Sequence, residues 1–191
     1  MKEDDLQKWL EQMVAGDQEA FEHIYEITCK DVYRTVAFFV SNRQDIDELV
    51  NEVYIQMWKS LHTYDKNRSF RFWLHGLIVR QVKEGRRKAW RRFRIMEKNK
   101  TFLQKQDYVV DGETLQIELQ SELTERVKAL SYKHREVVIL RYFHDYRLDE
   151  MSLLLEIPIG TVKSRLHTAL KLLKKDMESI PIGRAGNING F

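Results

Sequence analysis

The chain has 191 residues, of which 43% are hydrophobic and 32% charged, and its formal net charge is +3. That length suits one domain or two small ones, each able to bury a helical core. A single cysteine, Cys29, excludes an internal disulfide framework, and with no apolar run near the roughly 20 residues that span a bilayer and no signal-peptide pattern, a cytoplasmic protein that is not itself a membrane protein is expected.

Only two prolines, few glycines and long 3.6-residue periodicities predict an all-α protein. A first helix is expected over Asp4–Val14, with Leu6, Leu10, Met13 and Val14 inward. Ala15 and Gly16 end it, and Asp17 suits the N-cap of a second helix from Gln18, rich in large apolar residues from Phe21 to Phe39. A break at 41–43 precedes a third helix over about Asp45–Leu61. Its Ile46, Leu49, Val50, Val53, Met57 and Leu61 share a core face. Opposite them lie Glu48, Asn51, Glu52, Ile55 and Lys59, with Asp47 at the boundary. Acid and amide groups around an exposed isoleucine suit docking onto a basic helix, although an ordinary solvated face would read the same way.

A fourth helix is expected from about Ser69 into a basic run. Residues 83–100 carry nine Lys/Arg against two Glu, whereas 106–125 carry six Asp/Glu and no Lys/Arg. Phe70, Phe72 and Trp73 precede Arg80, Lys83, Arg86, Arg87, Lys88, Trp90, Arg91 and Arg92. Aromatics can stack on unpaired bases while cations hold phosphates, although Trp73 and Leu77 also fit a core. So dense a cationic stripe repels itself unless a polyanion is present. Residues 95–113 lose periodicity and read as a tether, and about twenty extended residues reach roughly 66 Å, close to two turns of B-DNA.

Helices are expected to resume near Thr114, with turns at Ser131 and at Asp145-Tyr146. Pro158 and Gly160 then separate two apolar-periodic segments, 148–155 and 162–173. The second sets Val162, Leu166, Ala169, Leu170 and Leu173 on one stripe, with Lys163, Ser164, His167, Lys171 and Lys175 on the other side. This is the pattern of a DNA-reading helix-turn-helix. The tail from Pro181, with three glycines and two asparagines, is expected to be disordered. His144-Asp145 lacks the further ligands of a metal-dependent phosphohydrolase, and the six histidines are scattered. No phosphate-cradling glycine loop or nucleophile elbow is present. No enzyme activity, metal or cofactor is therefore expected.

At this point the residues match a family. AGDQEAFEHIY (15–25), DIDELVNEVYIQMW (45–58), SFRFWLHGLIVRQVKEGRRK (69–88) and LSYKHREVVILRYFHDYRLDEMSLLLEIPIGTVKSRLHTALKLLKK (130–175) resemble, in order and spacing, the motifs of the extracytoplasmic-function sigma factors. The resemblance implies two small helical domains joined by a flexible tether. Region 2 would occupy 1–94, a linker 95–113, and region 4, the helix-turn-helix, 114–178, before a tail at 179–191. It implies core RNA polymerase and promoter DNA as partners, and an anti-sigma factor of a kind that can be membrane-anchored. It implies transcription of a stress or envelope regulon.

Carried over by position, Asp47, Glu48, Asn51, Glu52 and Tyr54 would grip the polymerase. The −10 contacts would be Asn67, in a base-pocketing loop at 62–69, with Phe70, Trp73, Arg80, Lys83, Arg86, Arg87 and Lys88. The −35 contacts would be Thr161, Lys163, Ser164, His167, Thr168 and Lys171, with Arg165 on a phosphate. Asn51 stands where glutamine is usual, and His167 and Thr168 replace a more aromatic or basic pair. An autonomous helix-turn-helix regulator would account for 130–175 but leave the acidic-faced third helix and the aromatic-basic run unexplained.

Overall fold

In the computed structural model the described residues are 3–98 and 122–178. They are helical, with short connections, and no strand occurs among them. The chain divides into two compact units, Met1–Leu115 and Gln116–Phe191.

The first unit holds α1 (Glu3–Val14), α2 (Gln18–Phe39), α3 (Arg43–Ser60), a 3-10 turn (Leu61–Thr63) and α4 (Phe70–Lys98). The chain reverses at Gly16, whose φ of 92° is open to glycine at no steric cost. Asp17 then caps α2 by accepting from the amides of Glu19 and Ala20. Asn42 caps α3 in the same manner through the amide of Gln44. α1 lies on α2, and α3 packs against both α2 and α4. Ile24, Val32, Val36, Val53, Met57, Ile78 and Val82 are buried where these helices meet. At the α3–α4 crossing a Cβ on Gly85 would come within 3.1 Å of Leu49 Cδ2, so glycine there permits the approach.

Two expectations fail here. Val14 does not face inward but is 59% exposed, being the last residue of its helix. The fourth helix does not give way to a tether at 95 but runs through Lys98. The rest of the tether, the helix start near Thr114 and the tail fall outside the described residues.

The second unit holds α5 (Glu122–Ala129), α6 (Tyr132–Tyr142), α7 (Leu148–Leu155) and α8 (Ile159–Glu178). α8 packs against α5, α6 and α7. Val127, Val137, Ile139, Leu140, Met151, Leu155, Val162 and Ala169 form the core. The turns at Ser131 and Asp145 are where the sequence puts them, Asp145 being left-handed at φ 58°. The helix-turn-helix differs in detail. Glu156, at φ 56°, makes the turn, while Gly160 lies inside the first turn of α8. Leu170 leaves the apolar stripe and is 41% exposed.

Candidate functional site

Three surfaces carry the candidate chemistry. The first is a groove of about 910 Å³ between α2 and α3. Phe21, Tyr25, Tyr54, Ile55 and Trp58 give it an aromatic lining, and Glu22, Glu26, Asn51 and Lys59 complete its wall. Phe21 meets Trp58 edge-on at 5.5 Å between ring centroids, and Tyr25 lies 4.6 Å from Tyr54. Asp47, Glu48 and Asn51 are exposed on α3, and half-buried Glu52 accepts from Gln56 Nε2 at 2.8 Å. Tyr54 is also part of this surface. It is 4% exposed, in the floor of the groove. The Thr28 hydroxyl donates to the Ile24 carbonyl at 2.6 Å, so its oxygen is left to accept the Tyr54 O–H at 2.9 Å. Burial pushes the Tyr54 phenol above its ordinary range. Tyr54 therefore offers a docking partner ring surface, not its hydroxyl.

The second surface joins the 62–69 loop to α4. Asp65 accepts from both the backbone amide and the side-chain Nδ2 of Asn67, at 3.0 and 3.1 Å. Tyr64 donates to the Arg68 carbonyl at 2.6 Å, which closes the loop on itself. Glu11 of α1 holds Lys66 at 2.8 Å, and hydrogen bonding to Lys66 draws the Glu11 carboxyl below its usual range. Asn67 is exposed at the loop tip. Phe70 is a correction, since it is buried at 5% exposure beneath Tyr64 and Trp73 and has no face for a base. Trp73 is half-buried, and Tyr64 packs on it at 5.4 Å. Beyond the loop, Arg80, Arg86, Arg87 and Lys88 are exposed and Lys83 is half-buried.

The third surface is the outer face of α8. Lys163, Ser164, His167, Thr168 and Lys171 are exposed together, and Thr161 is half-buried one turn before. Ser164 donates to the Thr161 carbonyl at 3.0 Å and Thr168 to the Ser164 carbonyl at 2.9 Å. Both hydroxyl protons point back into the helix, so the oxygens face outward as acceptors, suited to the amino groups of adenine or cytosine. Arg165 is the second correction. Its Nη1 donates to Glu136 Oε1 at 2.6 Å, and the Glu136 side chain is 3% exposed. A guanidinium held this way ties α8 to α6 rather than reaching a phosphate.

Residues 12–92 match the family model of sigma-70 region 2, and residues 120–173 that of sigma-70 region 4. The chain belongs to the extracytoplasmic-function sigma factors. This sigma factor is 25% identical to the ECF RNA polymerase sigma factor SigW of Bacillus subtilis, across 92% of this chain and 98% of that one. It is also 37% identical to an RNA polymerase sigma-E factor of Streptomyces avermitilis over 53% of this chain and 56% of that one. Among solved structures, its fold is similar to that of the sigma factor RpoE of Bartonella quintana, solved with the anti-sigma factor NepR. The TM-score is 0.66 at 17% identity, covering 84% of this chain and 98% of that one. CnrH, solved with the cytosolic domain of CnrY, gives a TM-score of 0.61 at 17% identity, over 91% and 97% of the two chains.

The protein is thus an alternative sigma factor, a transcription initiation factor whose partners are core RNA polymerase and promoter DNA. No helix among the described residues is long and apolar enough to cross a membrane. Reading α3 alone finds Asn51, Ile55 and Lys59 of the sigma factor's groove but not Phe21, Tyr25 or Trp58. These look like ordinary core residues until α2 and α3 pack with their aromatic edges side by side.

Proposed function

We propose that the groove between α2 and α3, with Asp47, Glu48, Asn51 and Glu52 beside it, is where the sigma factor grips core polymerase. The supporting observation is the joining of an aromatic floor to a carboxylate rim on one exposed face. That chemistry suits an amphipathic helix with an aliphatic seam and basic flanks. Asn67, Trp73, Arg80, Lys83, Arg86, Arg87 and Lys88 then face the −10 element, and Thr161, Lys163, Ser164, His167, Thr168 and Lys171 the −35 element. Region 2 takes residues 1–94, its last helix continuing four residues into a linker at 95–113. Region 4 takes 114–178, and 179–191 form a tail.

The sigma factor works in the cytoplasm on a stress or envelope regulon, held silent by an anti-sigma factor. The RpoE structure named above holds such a partner, the anti-sigma factor NepR.

The test is charge reversal on α3. Glu48→Lys with Glu52→Lys leaves the buried stripe of α3 untouched, so helicity persists while affinity for core polymerase falls. Loss of close opposite-charge pairs at an interface costs about 2–5 kcal/mol when they are buried. Circular dichroism and a core-binding titration of the double variant check this, and unchanged affinity removes the face from the interface.

A further inference from the structure

The loop at 62–69 is tied down by bonds of its own. Tyr64 roots it, with its ring against Phe70 and Trp73 and its backbone amide donating to the Leu61 carbonyl at 2.9 Å. The tip is then closed from both ends. The Tyr64 hydroxyl donates to the Arg68 carbonyl at 2.6 Å, and the Arg68 amide donates to the Asp65 carbonyl at 2.9 Å. What stands out from the unit is the exposed turn at 65–68. Its two cations are engaged, Lys66 with Glu11 of α1 and Arg68 with its Nε 3.7 Å from Asp65 Oδ2. Asn67 is the uncharged polar group of this tip.

The Asp65 carboxylate fixes how Asn67 is presented. The two ends of a side-chain amide have nearly the same shape, so the neighbouring group settles which is which. An ionised carboxylate only accepts. Asp65 Oδ1 takes the Asn67 backbone N–H at 3.0 Å and the side-chain nitrogen at 3.1 Å, so Nδ2 is turned inward. An aspartate that bonds the amide two residues on is a local device that holds a turn in one shape. Asn67 Oδ1 therefore points away from Asp65, and among the described residues no donor meets it.

We infer that Asp65 is a positioning residue for promoter reading: by holding Nδ2 it aims the Asn67 carbonyl oxygen outward, so the loop selects a base with an exocyclic amino group. The inference rests on the proposed placement of Asn67 at the −10 element. Adenine, cytosine and guanine carry such a group, and thymine does not. Thymine offers one N–H set between two carbonyl oxygens, which would meet the Asn67 oxygen and the Asp65 charge. An unpaired base exposes this edge to a side chain. Asp65 touches no base and acts through Asn67.

The experiment uses the full chain with core polymerase, on fork promoters that carry each of the four bases in turn at every single-stranded −10 position. Asn67→Ala is expected to flatten the base preference at one position, where the wild-type protein prefers an amino-bearing base. Replacing that base by its deaminated counterpart, hypoxanthine for adenine or guanine and uracil for cytosine, should lower wild-type affinity about tenfold. Asp65→Ala should abolish this ratio while the other −10 positions, the −35 preference and core-polymerase affinity stay unchanged. A loop that is merely loosened loses affinity for all bases alike and keeps the ratio between them. Asp65→Asn retains an acceptor oxygen and the turn, so it should restore most of the discrimination. Preference for thymine at that position, indifference to deamination, or a wild-type ratio in Asp65→Ala overturns the inference. A loss in Asp65→Asn as complete as in Asp65→Ala also overturns it, because charge and not orientation would then be at work. Asn67→Ala keeps the failures apart. An unaltered profile at every −10 position in that variant counts against the placement of Asn67 itself. A position flattened by Asn67→Ala but intact in Asp65→Ala leaves the placement standing and removes the role of Asp65.

Discussion

Arg165 and Lys163 are two residues apart on α8 and would look interchangeable in a list of cations. Their surroundings separate them. Lys163 is exposed on the outer face, while Arg165 donates into a nearly buried carboxylate on α6. Removing one partner of a buried pair leaves the other charged without solvent, which costs about 3 kcal/mol or more. Arg165→Ala is therefore expected to lower the unfolding free energy of the second unit by about 3 kcal/mol, and Lys163→Ala to leave it within about 0.5 kcal/mol. Lys163→Ala should instead cost about 1–3 kcal/mol in promoter binding at one −35 position. Urea unfolding and binding across single-base −35 variants distinguish the two, and equal stabilities would refute the anchoring role of Arg165. The same contrast marks what a sequence shows at this scale. Spacing puts Arg165, Phe70 and Tyr54 among functional neighbours, but which of them is buried depends on partners 29, 6 and 26 positions away, at Glu136, Tyr64 and Thr28.

At the scale of elements, periodicity goes further. The helices, the caps at Asp17 and Asn42 and the buried stripe of α3 all follow local rules that a sequence states openly. The turn of the helix-turn-helix does not. Glycine and proline draw attention to 158–160, yet α7 ends at Leu155, and Glu156 just after it takes the left-handed conformation. The Ile157 amide returns to the Ser152 carbonyl at 3.2 Å, and Ser152 Oγ donates to the Ile157 carbonyl at 2.6 Å. Such a six-to-one closure usually recruits glycine at the left-handed position. A side chain there costs roughly 1–2 kcal/mol, of which the freedom that glycine restores to the unfolded chain takes back a part. Glu156→Gly is expected to stabilise the protein by about 0.5–1 kcal/mol, and Glu156→Ala to leave it nearly unchanged. Paired thermal melts measure the difference. A destabilised glycine variant would mean that the Glu156 side chain does more for the turn than its backbone strain costs.

At the scale of the whole chain, the two units divide one task. The −10 candidates lie in the first and the −35 candidates in the second, and both units are borne by one polypeptide. Joining two binding modules makes the second contact intramolecular, so overall affinity exceeds that of either alone. If each unit reads its own element, losses in one should not change the value of contacts in the other. Sites without shared partners add within about 0.3–0.5 kcal/mol. Arg87→Gln, on α4, and Lys163→Ala, on α8, test this, because each removes an exposed cation from a different unit. The expected outcome is that the double variant, with core polymerase, loses promoter affinity equal to the sum of the single losses. The Arg87 part should shrink as salt rises, as a phosphate contact does, while the Lys163 part depends on the −35 base. A double variant much weaker than that sum would show that neither contact can hold the promoter once the other is gone. A double variant no weaker than one single would place both residues in a single coupled step of promoter engagement.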